Sequence, residues 1–418
     1  MKKALILIIF IFSCAMCRAE DISLTLNEAV EIALRDNRGI LLKSEDVKSA
    51  KEVIKEAQAG FYPSLTFTGN ASNVSGYYSK DDVTQNTTQI GIKQYLYKGS
   101  KTINSVAQSK HKLGVSEALL DKAKLETVLN VQKAFYTLLL ANEFSGLNKA
   151  IFDNTKEHFT VYLARYENGE ASETDILRIR ESLSSVEKAY ETSLNQAKSA
   201  EAILKNLLYL DEDVIIKPEG AFVYQPKEVA YDEAFLKAVG KRPEIKQYAA
   251  QQEADKKAIE IAKADARPSV YASWDYYSNS HASGTTRKGR NDHDIMGVTV
   301  TWPIFDGWAT RHKVEQAIID LKTTQILREK TVKDIALELK NAYLDLKTAI
   351  SEIKSSQSEV DFYKNIFSGI QDKYKAGIAS STDLNDADLS YSVSIFNQKQ
   401  AIYDYIVAKA EFDKAMGE

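Results

Sequence analysis

Between Val332 and Tyr374 the apolar positions recur in steps of three and four. The row is Val332, Ile335, Leu339, Ala342, Leu346, Ala349, Ile353, Val360, Tyr363, Phe367, Ile370 and Tyr374, interrupted only by Ser356. A spacing near 3.5 residues, held over several heptads, lays an apolar seam along one side of a helix and winds it left-handedly around its partners. No Pro interrupts the row. It stops at Lys375-Ala376-Gly377, where Gly can take the left-handed conformation that ends a helix. Ser380-Ser381-Thr382-Asp383 then reads as a capping box that opens a helix running back. The stretch Val332 to Asp386 therefore predicts a very long helical hairpin.

A different period follows two of the prolines. After Pro63, Leu65, Phe67, Gly69 and Ala71 alternate with Thr66, Thr68, Asn70 and Ser72. After Pro268, Val270, Ala272, Trp274 and Tyr276 alternate with Tyr271, Ser273, Asp275 and Tyr277. Ile90, Ile92 and Leu96, and later Met296, Val298, Val300 and Trp302, keep the same parity. A period of two with one apolar face is the pattern of a strand. Strands are predicted at about 61–73, 88–98, 268–279 and 294–305, joined by polar loops from Ser75 to Thr88 and from Ser280 to Asp294.

The chain also repeats itself. Glu28-Ala29, Ala33, Ile40, Ala57 and Pro63-Ser64 recur 205 residues later as Glu233-Ala234, Ala238, Ile245, Ala262 and Pro268-Ser269. Tyr97-Lys98-Gly99, Ala134-Phe135, Tyr166-x-x-Gly169 and Thr174-Asp175 recur 208 residues later as Phe305-Asp306-Gly307, Ala342-Tyr343, Tyr374-x-x-Gly377 and Thr382-Asp383. This predicts one unit used twice, residues 20–210 and 228–418, with an inter-repeat segment at 211–227. Each half reads as a helix, two strands, and a long helical hairpin, 99–210 in the first and 307–416 in the second. From Gly99 to Tyr166 a continuous helix of about 68 residues would span roughly 100 Å at 1.5 Å per residue. One chain has too little other mass to cover two such hairpins.

Composition narrows the setting. Six Pro and 18 Gly in 418 residues suit a mainly helical protein. Lys2 and Lys3, the apolar run from Ala4 to Phe12, and Cys17-Arg18-Ala19 have the layout of a signal peptide over residues 1–19. A lipoprotein signal with the lipid on Cys14 or Cys17 is the competing reading. Losing Lys2, Lys3 and Arg18 moves the net charge from −4 to about −7. No basic tract is interleaved with aromatics, so nucleic acid is not an expected partner. No nucleophile elbow, phosphate loop or HExxH pattern occurs, and the five His are scattered. The expectation is a protein that is not an enzyme and holds no cofactor or metal. Asp292-His293-Asp294 is the one metal-like cluster, and it is expected in a polar loop without other ligands. In a secreted chain, strands with an apolar outer face and aromatic rims (Phe61, Tyr62, Tyr95, Tyr97, Tyr276, Tyr277, Trp302) suit a membrane barrel shared by several chains. A soluble sheet packed on helices has the same pattern and stays open.

The paired halves, the junctions Leu96-Tyr97-Lys98-Gly99 and Ile304-Phe305-Asp306-Gly307, and the Y-x-x-G-x-x-x-x-x-D hairpin tips resemble the TolC family of outer-membrane efflux and export channels. The resemblance covers essentially all of residues 22–417. It implies a homotrimer in which each chain lends four strands to a shared twelve-stranded outer-membrane β-barrel. A trimeric α-barrel tunnel then continues through the periplasm, with residues 211–227 in the belt around it. It further implies a passive exit duct of a tripartite efflux or type I secretion system, driven by an inner-membrane pump through a periplasmic adaptor. A periplasmic coiled-coil adaptor or scaffold with a soluble β region is the alternative.

The same resemblance assigns roles at the tips. The turns Asn168-Gly169-Glu170 and Ala376-Gly377-Ile378 are expected to receive the adaptor, although both Gly suffice as helix ends. Asp383 and Asp386 match two acidic rings of the family's periplasmic entrance. Tyr374 and Asp175 match members of the gate lock, whose Arg is replaced by Ala379 here. Arg178, one turn after Asp175, is a candidate partner for Asp386 of a neighbouring hairpin. As capping-box members, Asp175 and Asp383 need no other purpose, and Asp386 can equally be a solvated surface Asp.

Overall fold

A computed structural model describes residues 21–74, 83–226, 230–283 and 287–418. The expected signal peptide, with Cys14 and Cys17, lies outside them, as does Lys227 at the end of the inter-repeat segment. The first half runs β1 (Asp21–Thr25), α1 (Leu26–Asp36), α2 (Arg38–Ala59), β2 (Ser64–Val74), β3 (Val83–Lys98), α3 (Lys101–Glu167) and α4 (Glu173–Leu208). After β4 (Ile215–Glu219) the second half runs α5 (Tyr231–Lys241), α6 (Pro243–Ala264), β5 (Ser269–Ser283), β6 (Arg287–Thr301), α7 (Ala309–Lys375) and α8 (Ser381–Met416). The chain divides into two compact units. One is Met1–Ile40 with Leu125–Val229 and Asn341–Lys414; the other is Leu41–Lys124 with Ala230–Lys340 and Ala415–Glu418.

The seam is real. Ile335, Leu339, Ala342, Leu346, Ala349, Ile353 and Val360 are all buried along α7. Ser356 is buried in the same row, and its hydroxyl donates to the Ile353 carbonyl at 3.0 Å, so the interruption keeps the period. Burying a Leu or Ile here is worth about 1.5–3 kcal/mol. Aromatic pairs fasten α7 to α8: Tyr343 meets Phe412, and Phe367 stacks on Tyr391 with ring centres 5.9 Å apart.

Each half opens on two helices where the apolar pattern predicts one. Asn37 has an extended backbone, and its carboxamide oxygen accepts from the Gly39 amide at 2.9 Å, ending α1 and starting α2. At the matching place Arg242 is extended and Pro243 supplies the first residue of α6. The segment 211–227 holds β4, which pairs in parallel with β1 over Asp21↔Ile215 to Thr25↔Glu219. That pair closes a core of Leu24, Ala29 and Ala33 against Val131, Phe135, Leu138, Leu204, Leu208 and Ile216.

The other four strands form one antiparallel sheet in the order β2-β3-β5-β6. The central β3–β5 pair joins the two halves, with a bulge between Tyr95 and Tyr97, and leaves β2 and β6 as edges. The strands differ from the predicted limits. β3 begins at Val83 rather than 88 and β6 at Arg287 rather than 294. Apart from Val83 and Gly289 these extensions hold only polar residues, so they carry no alternation, yet their backbones still make the ladder. β6 ends at Thr301 rather than 305, just before Trp302 and Pro303, which has no N–H to donate.

Candidate functional site

The sheet presents an unequal pair of faces. Cross-strand partners Leu65↔Ile92, Phe67↔Ile90, Ile92↔Trp274, Ile90↔Tyr276 and Trp274↔Met296 put apolar side chains on one side. Those of the edge strands lie bare: Phe67 is 73% exposed and Met296 79% exposed. On the other side Gln89 donates to Asp275 at 2.9 Å and to the Tyr277 hydroxyl at 3.1 Å, and the Tyr277 ring stacks on His293. Lys93 sits 3.8 Å over the Tyr271 ring. A bare apolar face backed by a hydrogen-bonded polar one is the arrangement of a barrel wall between lipid and water. Among the described residues no helix is long and apolar enough to cross a membrane. Strands of 15 residues exceed the roughly 9–11 a membrane requires, so their polar ends run on past the apolar band.

At the tips both long helices end in the same way. Gly169 (φ +77°) and Gly377 (φ +73°) are left-handed. Glu170 N–H donates to Arg165 at 2.8 Å and Gly169 N–H to Tyr166 at 2.9 Å. In the second half Ile378 N–H donates to Lys373 at 2.8 Å and Gly377 N–H to Tyr374 at 3.0 Å. These bonds satisfy the last carbonyls of each helix. Asn168, Glu170 and Ala376 are exposed, and Ile378 is 77% exposed where the first half has Glu170.

The return helices open on capping boxes. Asp175 accepts from Ser172 Oγ at 2.6 Å, and Asp383 accepts from Ser380 N at 2.9 Å and Ser380 Oγ at 2.7 Å. Hydrogen bonds from the Ser172 hydroxyl and amide hold the Asp175 carboxyl below its ordinary value, and the Arg178 charge adds to this. Asp383 is lowered by the Ser380 amide and hydroxyl. The structure thus gives both Asp the capping role. Asp386 is exposed one turn further along, Arg178 is exposed, and Tyr374 is exposed at the end of α7. Within the chain the Arg178 charge acts on Asp175, and among the described residues Arg178 and Asp386 form no ion pair. Asn385 and His158 approach to 3.4 Å between α8 and α3. The sequence reading missed this link, because 227 residues separate the two and no spacing announces it.

At the metal-like cluster, Asp292 takes hydrogen bonds from Ser278 (2.7 Å) and Arg290 (3.0 Å) within the strands. Among the described residues no group of three or more His, Cys, Asp or Glu could hold a metal ion.

A family model described as "Outer membrane efflux protein" matches residues 29–208 and 236–418. The chain belongs to that family. The two matched segments coincide with the two halves of the duplication. The chain is 22% identical over 417 residues to the alkaline protease secretion protein AprF of Pseudomonas aeruginosa, covering 94% of this chain and 85% of that one. It is 20% identical over 403 residues to the outer membrane efflux protein BepC of Brucella suis biovar 1, covering 95% and 86%. Among solved structures, the Campylobacter jejuni CmeC outer membrane channel superposes with a TM-score of 0.77 at 18% identity, covering 94% of this chain and 85% of that one. The Vibrio cholerae outer membrane protein VceC gives 0.73 at 17% identity, covering 94% and 96%. The expected TolC-like fold is therefore the observed one, and the family is one of channel and transport proteins. As a member, this efflux protein is an outer-membrane channel of efflux and export.

Proposed function

We propose that the chain works as a homotrimer, a passive exit duct gated at its periplasmic end, coupled to an inner-membrane pump through a periplasmic adaptor. The sheet carries this reading. Four strands with a largely exposed apolar face and two open edges, β2 and β6, close nothing alone. Three copies give twelve strands, enough to close a barrel, and closure removes the edges. Lipid covers the apolar face, and the polar face of Gln89, Asp275 and Tyr277 lines the water-filled side. Secretion and efflux relatives both support an export duct, by type I secretion or tripartite efflux.

Gating rests on the tips. Asp383 is tied into its capping box, so the entrance charge that is free to meet a passing ion is Asp386. Three copies of it around a narrow, low-dielectric mouth attract cations and repel anions. Tyr374 and Asp175 line the same mouth, and Arg178 reaches an Asp386 on a neighbouring hairpin. The turns 168–170 and 376–378 receive the adaptor. Outer-membrane fractionation with unheated SDS gels tests the assembly: a heat-sensitive trimer is expected, and a chain extracted by buffer alone as a monomer would overturn the reading. Planar-bilayer recordings of Asp386→Ala test the gate. Lower cation selectivity and weaker block by multivalent cations are expected; unchanged recordings would remove Asp386 from the mouth.

A further inference from the structure

The two halves share their pairing geometry as well as their motifs. Ser64 pairs with Lys93 in the first hairpin; moving the former by 205 and the latter by 208 lands on Ser269 and Thr301, which are themselves partners. The whole ladder obeys the same two shifts. The central β3–β5 pair therefore has a counterpart in which β6 plays β3 and β2 plays β5. One chain does not make it, since β2 and β6 are opposite edges of its sheet. We infer that a second copy of this chain completes it, and that the duplication fixes the register: Thr301 of one copy opposite Thr68 of the next, with Val298 opposite Ala71, Val300 opposite Gly69 and Trp302 opposite Phe67. This rests on the homotrimer proposed above and adds the residue-level seam.

Three observations support that register. It puts Val298, Val300 and Trp302 on the same side as Phe67, Gly69 and Ala71, so the apolar face continues from copy to copy. A slip of one residue would turn every side chain of one strand to the wrong face. Pro303 falls at the counterpart of Tyr95, the last residue before the bulge in β3, so the missing N–H comes next to a break in the ladder. The segment Trp302 to Asp306, irregular in the single chain, matches Gln94 to Lys98, which is strand because β5 pairs with it. In the assembly it becomes strand against Ser64 to Phe67.

The helices follow the same rule. A Cβ on Gly114 in α3 would lie 3.4 Å from the Ala250 Cβ in α6. Shifting that pair places Lys322 of α7 beside Glu45 of the next copy's α2. Both are exposed in the single chain, and they carry opposite charges. Gly99 lies against the Ala264 carbonyl. The counterpart sets Gly307, which has nothing within 4 Å of an added Cβ, against Ala59 of the next copy.

Cysteine cross-linking in native outer membranes tests the seam. Directly opposed strand residues bring Cβ atoms to about 4.5–5.5 Å, and diagonal ones to about 7–8 Å. Oxidation of the Thr68→Cys/Thr301→Cys chain is expected to shift the denatured, non-reduced band from monomer to trimer mass. Thr68→Cys/Thr299→Cys is expected to stay monomeric, as are the parent chain and each single variant, which control for Cys14 and Cys17. Glu45→Cys/Lys322→Cys is expected to link the same copies through their helices, whatever the strand substitutions do to folding. Cross-linking at Thr68/Thr299 instead, or heat-sensitive trimers that link at none of these pairs, would overturn the register and leave the trimer standing. Absence of any trimer in the parent chain would overturn both.

Discussion

The two strand-to-helix junctions share a backbone and differ in what holds it. Each takes two successive left-handed residues, Gly99 and Ser100 in the first, Gly307 and Trp308 in the second. In the first, Arg267 donates to the Gly99 carbonyl at 3.2 Å and Asp265 pairs with Lys101 at 2.7 Å. In the second, Asp306 accepts from the Thr310 amide at 2.8 Å and the Thr310 hydroxyl at 2.6 Å, capping its own helix, Phe305 meets Trp308 edge to face, and a Cβ added to Gly307 would have nothing within 4 Å. A duplicated unit that meets a neighbour in its own chain at one end needs no local cap there. In the proposed trimer the matching neighbour at the other end comes from another copy, and within one chain that junction has its own cap and the reach of Lys313 to Asp265 at 3.2 Å.

The comparison breaks most visibly at the two glycines. A left-handed non-Gly residue costs roughly 1–2 kcal/mol. At Gly99 an added Cβ would also sit 2.7 Å from the Ala264 carbonyl oxygen and 2.9 Å from the Arg267 Cβ. Backbone yields poorly, so Gly99→Ala is expected to lose about 3 kcal/mol or more and to reach the membrane at low levels. Gly307→Ala has only the conformational cost within one chain. It is expected to keep helical circular dichroism while its trimers dissociate at lower temperature, because the proposed seam puts the next copy in that space. Equal losses at both sites would erase the distinction.

At the hairpin tips the halves match in backbone and differ in surface. Neither Gly169 nor Gly377 has an atom within 4 Å of an added Cβ, so Arg at either site costs about 1–2 kcal/mol and leaves trimers intact. Gly377 precedes exposed Ile378, and Gly169 precedes Glu170. An adaptor seated on the apolar tip predicts that Gly377→Arg abolishes export and that Gly169→Arg keeps a measurable part of it. Full export in a correctly assembled Gly377→Arg trimer would remove docking from that turn.

Asp306 sharpens the junction argument on a smaller scale. Asp306→Ala removes the cap and is expected to cost about 1 kcal/mol in thermal unfolding. Lys98→Ala, at the same place in the other half, is expected to change stability by less than about 0.5 kcal/mol. A reversed order would mean that Lys98 steadies its junction in some way other than capping.

Much of this fold was legible because its signals are periodic. The α7 seam repeats every 3.5 residues, and Ser356 hides in it as a buried, back-bonded hydroxyl. The apolar face of the strands alternates from Leu65 to Ala71 and from Val270 to Tyr276. What stayed dark lacks amplitude or is long-range. The polar strand ends from Val83 and from Arg287 look like loop because nearly every residue in them is polar. The five-residue β1 and β4 are short, and nothing in Asp21–Thr25 names Ile215–Glu219 as its partner. Asn37 divides the opening helix by a backbone turn that the apolar pattern does not record. At the candidate site the capping boxes were readable from Ser-x-x-Asp, whereas the approach of His158 to Asn385 depends on which helix faces which.

The smallest expected effect lies one turn beyond those boxes. Shifting Arg178 by 208 residues gives Asp386, so two helix starts that share a Ser-x-x-Asp box carry opposite charge at this place. Asp175 and Asp383 are both held below the ordinary carboxyl value of 3.8. A lowered carboxyl stabilises the folded form fully above its unfolded pKa, and that contribution disappears as pH falls through the folded value. Both tips therefore keep their caps at neutral pH and lose them in acid below about pH 4. Arg178 deepens the effect at Asp175 alone. Arg178→Ala should raise the Asp175 titration in carboxyl-carbon NMR of the detergent-solubilised trimer and leave Asp383 where it was. Asp386→Arg should lower Asp383 in turn, giving the second tip the acid resistance of the first. If neither titration moves, the charge reversal does not act on the caps, and what it changes is the field that a passing ion meets.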